Sequence, residues 1–166
     1  MLGHLLRSRQ MTSTLQSASE GVQAMAEGQL KMVVSNPTQN GTDGTLASQV
    51  LQSYPVNLII NTGESNHTLY KIALRCDDGW QTVGPWEVSF VGTTSARWSI
   101  ADGVSYPNEA LAEYAEYAPS IAGNAVIGSR NHVFWLKAET DGTEPAQVDT
   151  SVQVRVYGRC VPAGGA

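Results

Sequence analysis

The sequence predicts an all-β fold, an antiparallel β-sandwich of Ig-like or jelly-roll-like design, and three observations carry that prediction. The first is Val148–Cys160. Val148, Val152, Val154 and Val156 share a register with Gly158 and Cys160, while Ser151, Gln153, Arg155, Tyr157 and Arg159 fall on the other side. A period of two with β-branched residues on one side marks a strand with one buried face. The second is that such segments recur between Gly-, Asn- and Asp-rich turns, about seven or eight of them at roughly 8–12-residue spacing. The third is that one-sided strands cannot bury their apolar face alone and need a second layer. A chain of 166 residues that is 42% hydrophobic has the length for one domain and the material for its core.

Taken in order, residues 1–28 form an N-terminal arm distinct from the rest of the chain, with no aromatic residue and no proline. Leu15, Ala18, Val22 and Met25 recur at helical spacing, although the many Ser, Thr and Gly residues weaken a helix. Two readings stand. The segment is either a flexible leader or an arm that orders against a neighbouring subunit through Leu2, Leu5, Leu6, Leu15, Val22 and Met25. Each of these leucines supplies roughly 1.5–3 kcal/mol if fully buried. The basic Arg7 and Arg9 come after the short apolar patch, and no continuous apolar stretch of secretory-signal length is present.

The sandwich domain spans 29–160. Gln29–Val34 reads as its first strand, Ser35–Thr45 as an exposed loop dense in turn formers, and Leu46–Ser53 as either a helical turn or a strand. Val56–Asn61 and His67–Cys76 form a predicted hairpin, the second strand placing Tyr70, Ile72, Leu74 and Cys76 on one face. Pro85–Val91 aligns Trp86, Val88 and Phe90, and Ala96–Ala101 aligns Trp98 and Ile100. Residues 102–120 break the β rhythm as an inserted loop. It carries a short helix over Asn108–Tyr117, capped by Ser105, with Leu111, Tyr114 and Ala118 on its face and Pro119 as its stop. Asn124–Ile127 is a further short strand. His132–Glu139 and Val148–Cys160 form the closing pair, with Trp135, Lys137, Arg155 and Tyr157 on an outer face open to a neighbour. Residues 161–166 are a tail.

Composition excludes several functions. Charged residues make up 15% of the chain, against ~25% in ordinary soluble domains. A net charge of -5 with no basic cluster excludes nucleic acid as the main partner. No apolar run approaches the ~20 residues of a membrane-spanning helix. His4, His67 and His132 have no partners at metal-ligand spacing, so no metal is expected, and His67 and His132 read as exposed strand starts. Asp77-Asp78-Gly79 and Asp141-Gly142 read as turns, since a calcium loop needs more oxygens in order. There is no nucleophile elbow, phosphate loop or cofactor motif, so neither an enzyme nor a bound cofactor is expected.

Two residue sets are left as candidates. Cys76 and Cys160 both continue the inward register of a strand; they are either a disulfide across the sandwich or two buried free thiols packing as small apolar groups. Trp80, beside a turn, and Tyr106, Tyr114 and Tyr117, in the inserted loop, either form a contact surface or cover a sheet edge. Trp86, Trp98 and Trp135 lie within strands and read as core.

His132-Val133-Phe134-Trp135-Leu136-Lys137-Ala138 followed by Val152-Gln153-Val154-Arg155-Val156 sits in a low-charge β domain with an arm and an inserted loop. Over Val56–Gly158 this chain resembles, in general character, the accessory structural proteins of tailed-phage virions: capsid decoration proteins and small tail or baseplate components with Ig-like sandwiches. The resemblance implies a virion subunit made in the host cytoplasm. It would be a homo-oligomer or bound to a lattice, and its partners would be further copies of itself and neighbouring structural proteins. The alternative is a carbohydrate-binding or adhesion module that meets surface glycans through Trp80 and the Tyr106–Tyr117 region.

Overall fold

The computed structural model describes residues 29–47, 53–55, 65–143 and 151–164. The arm residues Leu2, Leu5, Leu6, Leu15, Val22 and Met25, and the expected strand Val56–Asn61, lie outside that set. The described chain is an antiparallel sandwich. Its strands are β1 (Lys31–Val34), β2 (Thr45–Leu46), β3 (Ser53–Pro55), β4 (Ser65–Arg75), β5 (Trp80–Val91), β6 (Trp98–Asp102), β7 (Ser120–Gly123), β8 (His132–Asp141) and β9 (Gln153–Pro162). One helical turn, α1 (Glu109–Ala112), lies between β6 and β7. A five-stranded sheet runs β2-β1-β4-β8-β6, and a four-stranded sheet runs β3-β9-β5-β7.

Alternation places the core as the sequence indicates. From β4 come Ile72 and Leu74, with Cys76 just beyond; from β6 come Trp98 and Ile100; from β9 come Val154 and Val156, preceded by Val152; all are buried in one cluster. Leu30 and Met32 join it at the start of the sandwich, and an isolated bridge ties Gln29 to Arg159. The core therefore reaches back to residue 29. In β9 the inward register continues through Gly158, where an added Cβ would sit 2.8 Å from Leu30 Cδ2 and push that side chain aside.

β5 holds its register across a bulge. Val83 faces Arg159 and Glu87 faces Tyr157, so four steps of β5 match two of β9. The two extra residues are an even number, which leaves Thr82, Trp86 and Val88 all buried. Gly84, at φ 74°, and Pro85, which has no N–H to pair, are suited to this break.

Several expectations are corrected. The closing pair is not a pair: β8 is flanked by β4 and β6, β9 by β5 and β3, and the two belong to opposite sheets. Both ladder edges of each strand are taken, so neither has an edge left for the other. β5 begins at Trp80, which is half-buried against the core and not in a turn. β7 occupies Ser120–Gly123. The segment after it plugs the sandwich end instead: Ile127 is fully buried, its carbonyl accepts from Thr82 N at 2.9 Å, and the Ala125 carbonyl accepts from Trp86 Nε1 at 2.9 Å. β9 runs on to Pro162, pairing Val161 with Gln81, so the sandwich extends past 160 into the expected tail. His132 is not an exposed strand start. It is half-buried, with its ring 4.9 Å from Phe134 and 5.9 Å from Trp86.

The loop between β1 and β2 is exposed but anchored by one buried side chain outside any strand. Asn131, 1% exposed, donates through Nδ2 to the Asp43 backbone O at 3.1 Å and to Asp43 Oδ1 at 3.0 Å. Its backbone exchanges hydrogen bonds with Asn40 and Gly41. The Thr38 amide and hydroxyl also donate to Asp43 and hold its carboxyl below the usual carboxylate range.

The β9 register gives a direct test. Val154→Asp places a carboxylate without a partner in the core and is expected to cost about 3–5 kcal/mol, read by urea denaturation. Gln153→Asp, one residue away on the other face, is expected to cost less than about 1 kcal/mol. Equal losses would mean that the assigned inward face is wrong.

Candidate interaction surface

β8 contains the run Val133-Phe134-Trp135-Leu136, and all four residues are buried. A strand whose consecutive residues are all apolar has no solvent face, so both sides must be covered. Phe134 and Leu136 point into the sandwich. Val133 packs with Val33 and Ala73, with Leu46 of β2 against them. Trp135 packs with Leu69 and Ala112, with Tyr106 and Tyr117 alongside. The inserted segment 103–119 thus lies on the outer face of the five-stranded sheet. Trp135 is not open to a neighbour, contrary to the expectation from sequence; the chain's own insertion covers it.

The insertion is fastened along its length. Gly103 N donates to the Val133 carbonyl at 2.8 Å, so close that a Cβ at Gly103 would lie 2.8 Å from that oxygen. The Val104 amide donates to Asp102 Oδ1 at 3.0 Å, and the Tyr106 amide to the Gly103 carbonyl at 3.1 Å. Trp135 Nε1 donates to the Tyr106 carbonyl at 2.7 Å, satisfying the one polar atom of a buried indole. Lys71 Nζ donates to the Pro107 carbonyl at 3.2 Å and stands 5.5 Å from the Trp135 ring centre. At the far end Ala118 and Ile100 exchange backbone hydrogen bonds of 2.8 and 3.0 Å, closing the outer edge of β6.

The helical turn is shorter and turned differently from the expectation. Asn108, not Ser105, caps it, with extended backbone and Oδ1 accepting from Leu111 N at 3.1 Å. Pro107 precedes the cap, and its carbonyl is already held by Lys71. Ala112 is the buried residue of α1, while Leu111 and Tyr114 face solvent. The small Ala112 side chain lets the turn approach Trp135 and Leu69 closely. After the turn, Tyr117 Oη donates to the Ala112 carbonyl at 3.1 Å, and Lys137 Nζ stands 5.5 Å from its ring centre. Burial pushes the Tyr117 phenol above its ordinary range, with the Glu113 carboxylate adding to the effect. Glu113 itself meets His67 Nε2 of β4 at 2.7 Å. His67 is therefore a strut between sheet and insertion.

The four aromatic candidates separate accordingly. Trp80 packs on the sandwich core, and Tyr106 and Tyr117 pack beside Trp135. Tyr114 is 82% exposed. Leu111 and Val104, also on the insertion, are exposed as well. Tyr157, on the outer face of the four-stranded sheet, is a second exposed ring at 68%. The signal missed in sequence was the continuous apolar run of β8, which required cover on both faces; over Trp135 the insertion supplies it.

Beside His67 a polar cleft of about 380 Å³ is lined by Asn66, Arg97, Glu139, Thr140 and Asp141, among others. Among the described residues no group of three or more His, Cys, Asp or Glu side chains is placed to hold a metal ion. The two Asp-Gly sites are turns: Trp80 N bonds the Asp77 carbonyl, and Asp141 accepts from the Thr143 amide and hydroxyl. Cys76 and Cys160 are free thiols, the first buried and the second half-buried against the same core cluster. No helix among the described residues is long and apolar enough to cross a membrane. No protein-family model matches the chain, and neither curated proteins nor solved structures give a match.

The corrected helix face is testable. Ala112→Glu forces a carboxylate onto Trp135 and is expected to lose about 2–3 kcal/mol and to expose 103–119 to protease. Leu111→Glu, on the solvent side, is expected to change stability by no more than about 0.5 kcal/mol. The reverse order, read by urea denaturation and limited proteolysis, would contradict this placement of α1.

Proposed function

We propose that this chain is a structural assembly subunit that binds neighbouring subunits through its inserted loop and its N-terminal arm. At a finer level, we propose that it is an accessory component of a virion, in the capsid-decoration or tail-associated role that its sequence resembles. The observation that carries the reading is the insertion itself. Its backbone is fixed to a rigid sheet by Trp135, Lys71, His67 and Ile100, yet it turns Val104, Leu111 and Tyr114 to solvent. Apolar and aromatic side chains held rigid in this way lose little entropy on association, which is how contact residues gain affinity. A loop needed only to cover Trp135 would have no use for an exposed tyrosine at its end.

The arm fits the same role. Among the described residues the core reaches back to Leu30, and the arm, residues 1–28, is proposed to make contacts beyond the sandwich. The alternative, a glycan-binding module, counted on Trp80 and three insertion tyrosines; packing takes up three of those four rings, which favours the assembly reading.

Native mass of the purified full chain tests the proposal. The expected result is a trimer, hexamer or larger ring, weakened by Tyr114→Ala with Leu111→Ser and abolished by removal of residues 1–28, the truncated chain retaining its β-sheet circular dichroism. A full chain that stays monomeric at high concentration and captures a glycan on an array would replace assembly with the carbohydrate-binding reading.

A further inference from the structure

We propose that Cys76 and Cys160 are a disulfide-forming pair that fastens the two sheets of the sandwich to one another. Cys76 continues the inward register of β4 in the five-stranded sheet, beyond Ile72 and Leu74, and is 3% exposed. Cys160 lies on the inward register of β9 in the four-stranded sheet, packed against the same core cluster and partly exposed. A single carbonyl ties the two positions together. Ile127 O accepts from Cys76 Sγ at 3.4 Å and from Thr82 N at 2.9 Å, and Thr82 is the residue directly opposite Cys160 in the β5–β9 ladder. Both cysteines belong to one core cluster between the sheets, Cys76 within it and Cys160 packed against it. Inward register on facing strands, within one core cluster, is the arrangement from which a disulfide forms with little backbone movement.

The environment also sets an order of events. The neighbouring Cys76 thiol holds the Cys160 thiol below its ordinary range. The reciprocal effect of Cys160, together with burial, pushes the Cys76 thiol up. Cys160, more exposed and more readily ionised, is the attacking sulfur. With a low-molecular-weight disulfide as oxidant, the Cys160 thiolate attacks one sulfur and expels a thiolate, leaving a mixed disulfide on Cys160. Cys76 Sγ then attacks Cys160 Sγ and expels the second small thiolate, which takes up the Cys76 proton. One small disulfide is reduced to two thiols, and the protein dithiol is oxidised to one disulfide. This cross-link does not depend on the assembly reading.

The test is to move the reduced full chain into excess oxidised glutathione at mildly alkaline pH, then alkylate it in denaturant and weigh it. The expected product is lighter than the reduced chain by two hydrogens, takes up no alkylating agent, and yields a proteolytic peptide joining Cys76 to Cys160. Its melting temperature is expected to rise by on the order of 10 °C, because the bond closes a long loop. Cys76→Ala is expected to accumulate the glutathione adduct on Cys160, and Cys160→Ser to leave Cys76 unmodified until the protein is unfolded. Alkylation of both cysteines after oxidation would overturn the proposal. So would a wild-type chain that stops at the mixed disulfide.

Discussion

The rest of the structure depends on the burial of β8 on both faces. A central strand of an antiparallel sandwich ordinarily spends one face on the core and leaves the other to water. Here Phe134 and Leu136 fill the inter-sheet space while Val133 and Trp135 require a separate cover. Val133 is buried beside Val33, Ala73 and Leu46 of its own sheet, and the cover over Trp135 comes from the segment between β6 and β7. Once Trp135 must be buried, its indole N–H needs a partner, and the Tyr106 carbonyl supplies it. The position of the insertion is thus a packing requirement, and its outward side is what remains available for contact.

Two anchoring systems of different chemistry hold the loops to this frame. The insertion is held by apolar contact with Trp135, by the Lys71 hydrogen bond to the Pro107 carbonyl, by cation–π contact of Lys137 with Tyr117, and by the His67–Glu113 pair. Its charged pairs are exposed enough that solvent weakens them, so apolar contact with Trp135 and backbone hydrogen bonding supply most of the hold. The loop after β1 is held by hydrogen bonds centred on Asn131. Burying one side-chain amide costs little once its donors and acceptor are paired, and leaves much to lose if a partner is removed. The fold therefore presents loops as fixed surfaces, as a subunit that must meet its neighbours in one geometry requires.

Much of this was legible in the sequence. Period-two alternation located β1, β4, β6 and β9 and the inward residues of each, because a strand on a core leaves a direct residue pattern. Sheet membership was not legible: β8 and β9 are adjacent in sequence and alike in character, and nothing local distinguishes hairpin partners from strands of opposite sheets. Asn131 was invisible because a buried amide in a loop has the same sequence appearance as an exposed turn residue. The helical turn was misread because Ser105 and Asn108 are both good caps, and the choice between them is made by the pinning of Pro107 and by Ala112 fitting against Trp135. The signal that would have found the surface was present. Four consecutive apolar residues in a strand imply that both faces are covered, and the segment 102–120 supplies the cover over Trp135.

The central claim is that the insertion is already fixed in the free subunit and that its outward side is where a neighbour binds. Hydrogen exchange coupled to mass spectrometry, on the full chain in dilute and in concentrated solution, tests this most directly. The account predicts slow exchange at Gly103 and Ala118 in both samples, since those amides are bonded to the sheet. It predicts added protection around Leu111–Tyr114 in the concentrated sample only. An insertion that exchanges throughout like unstructured chain, or one whose outward segment is indifferent to concentration, would contradict it.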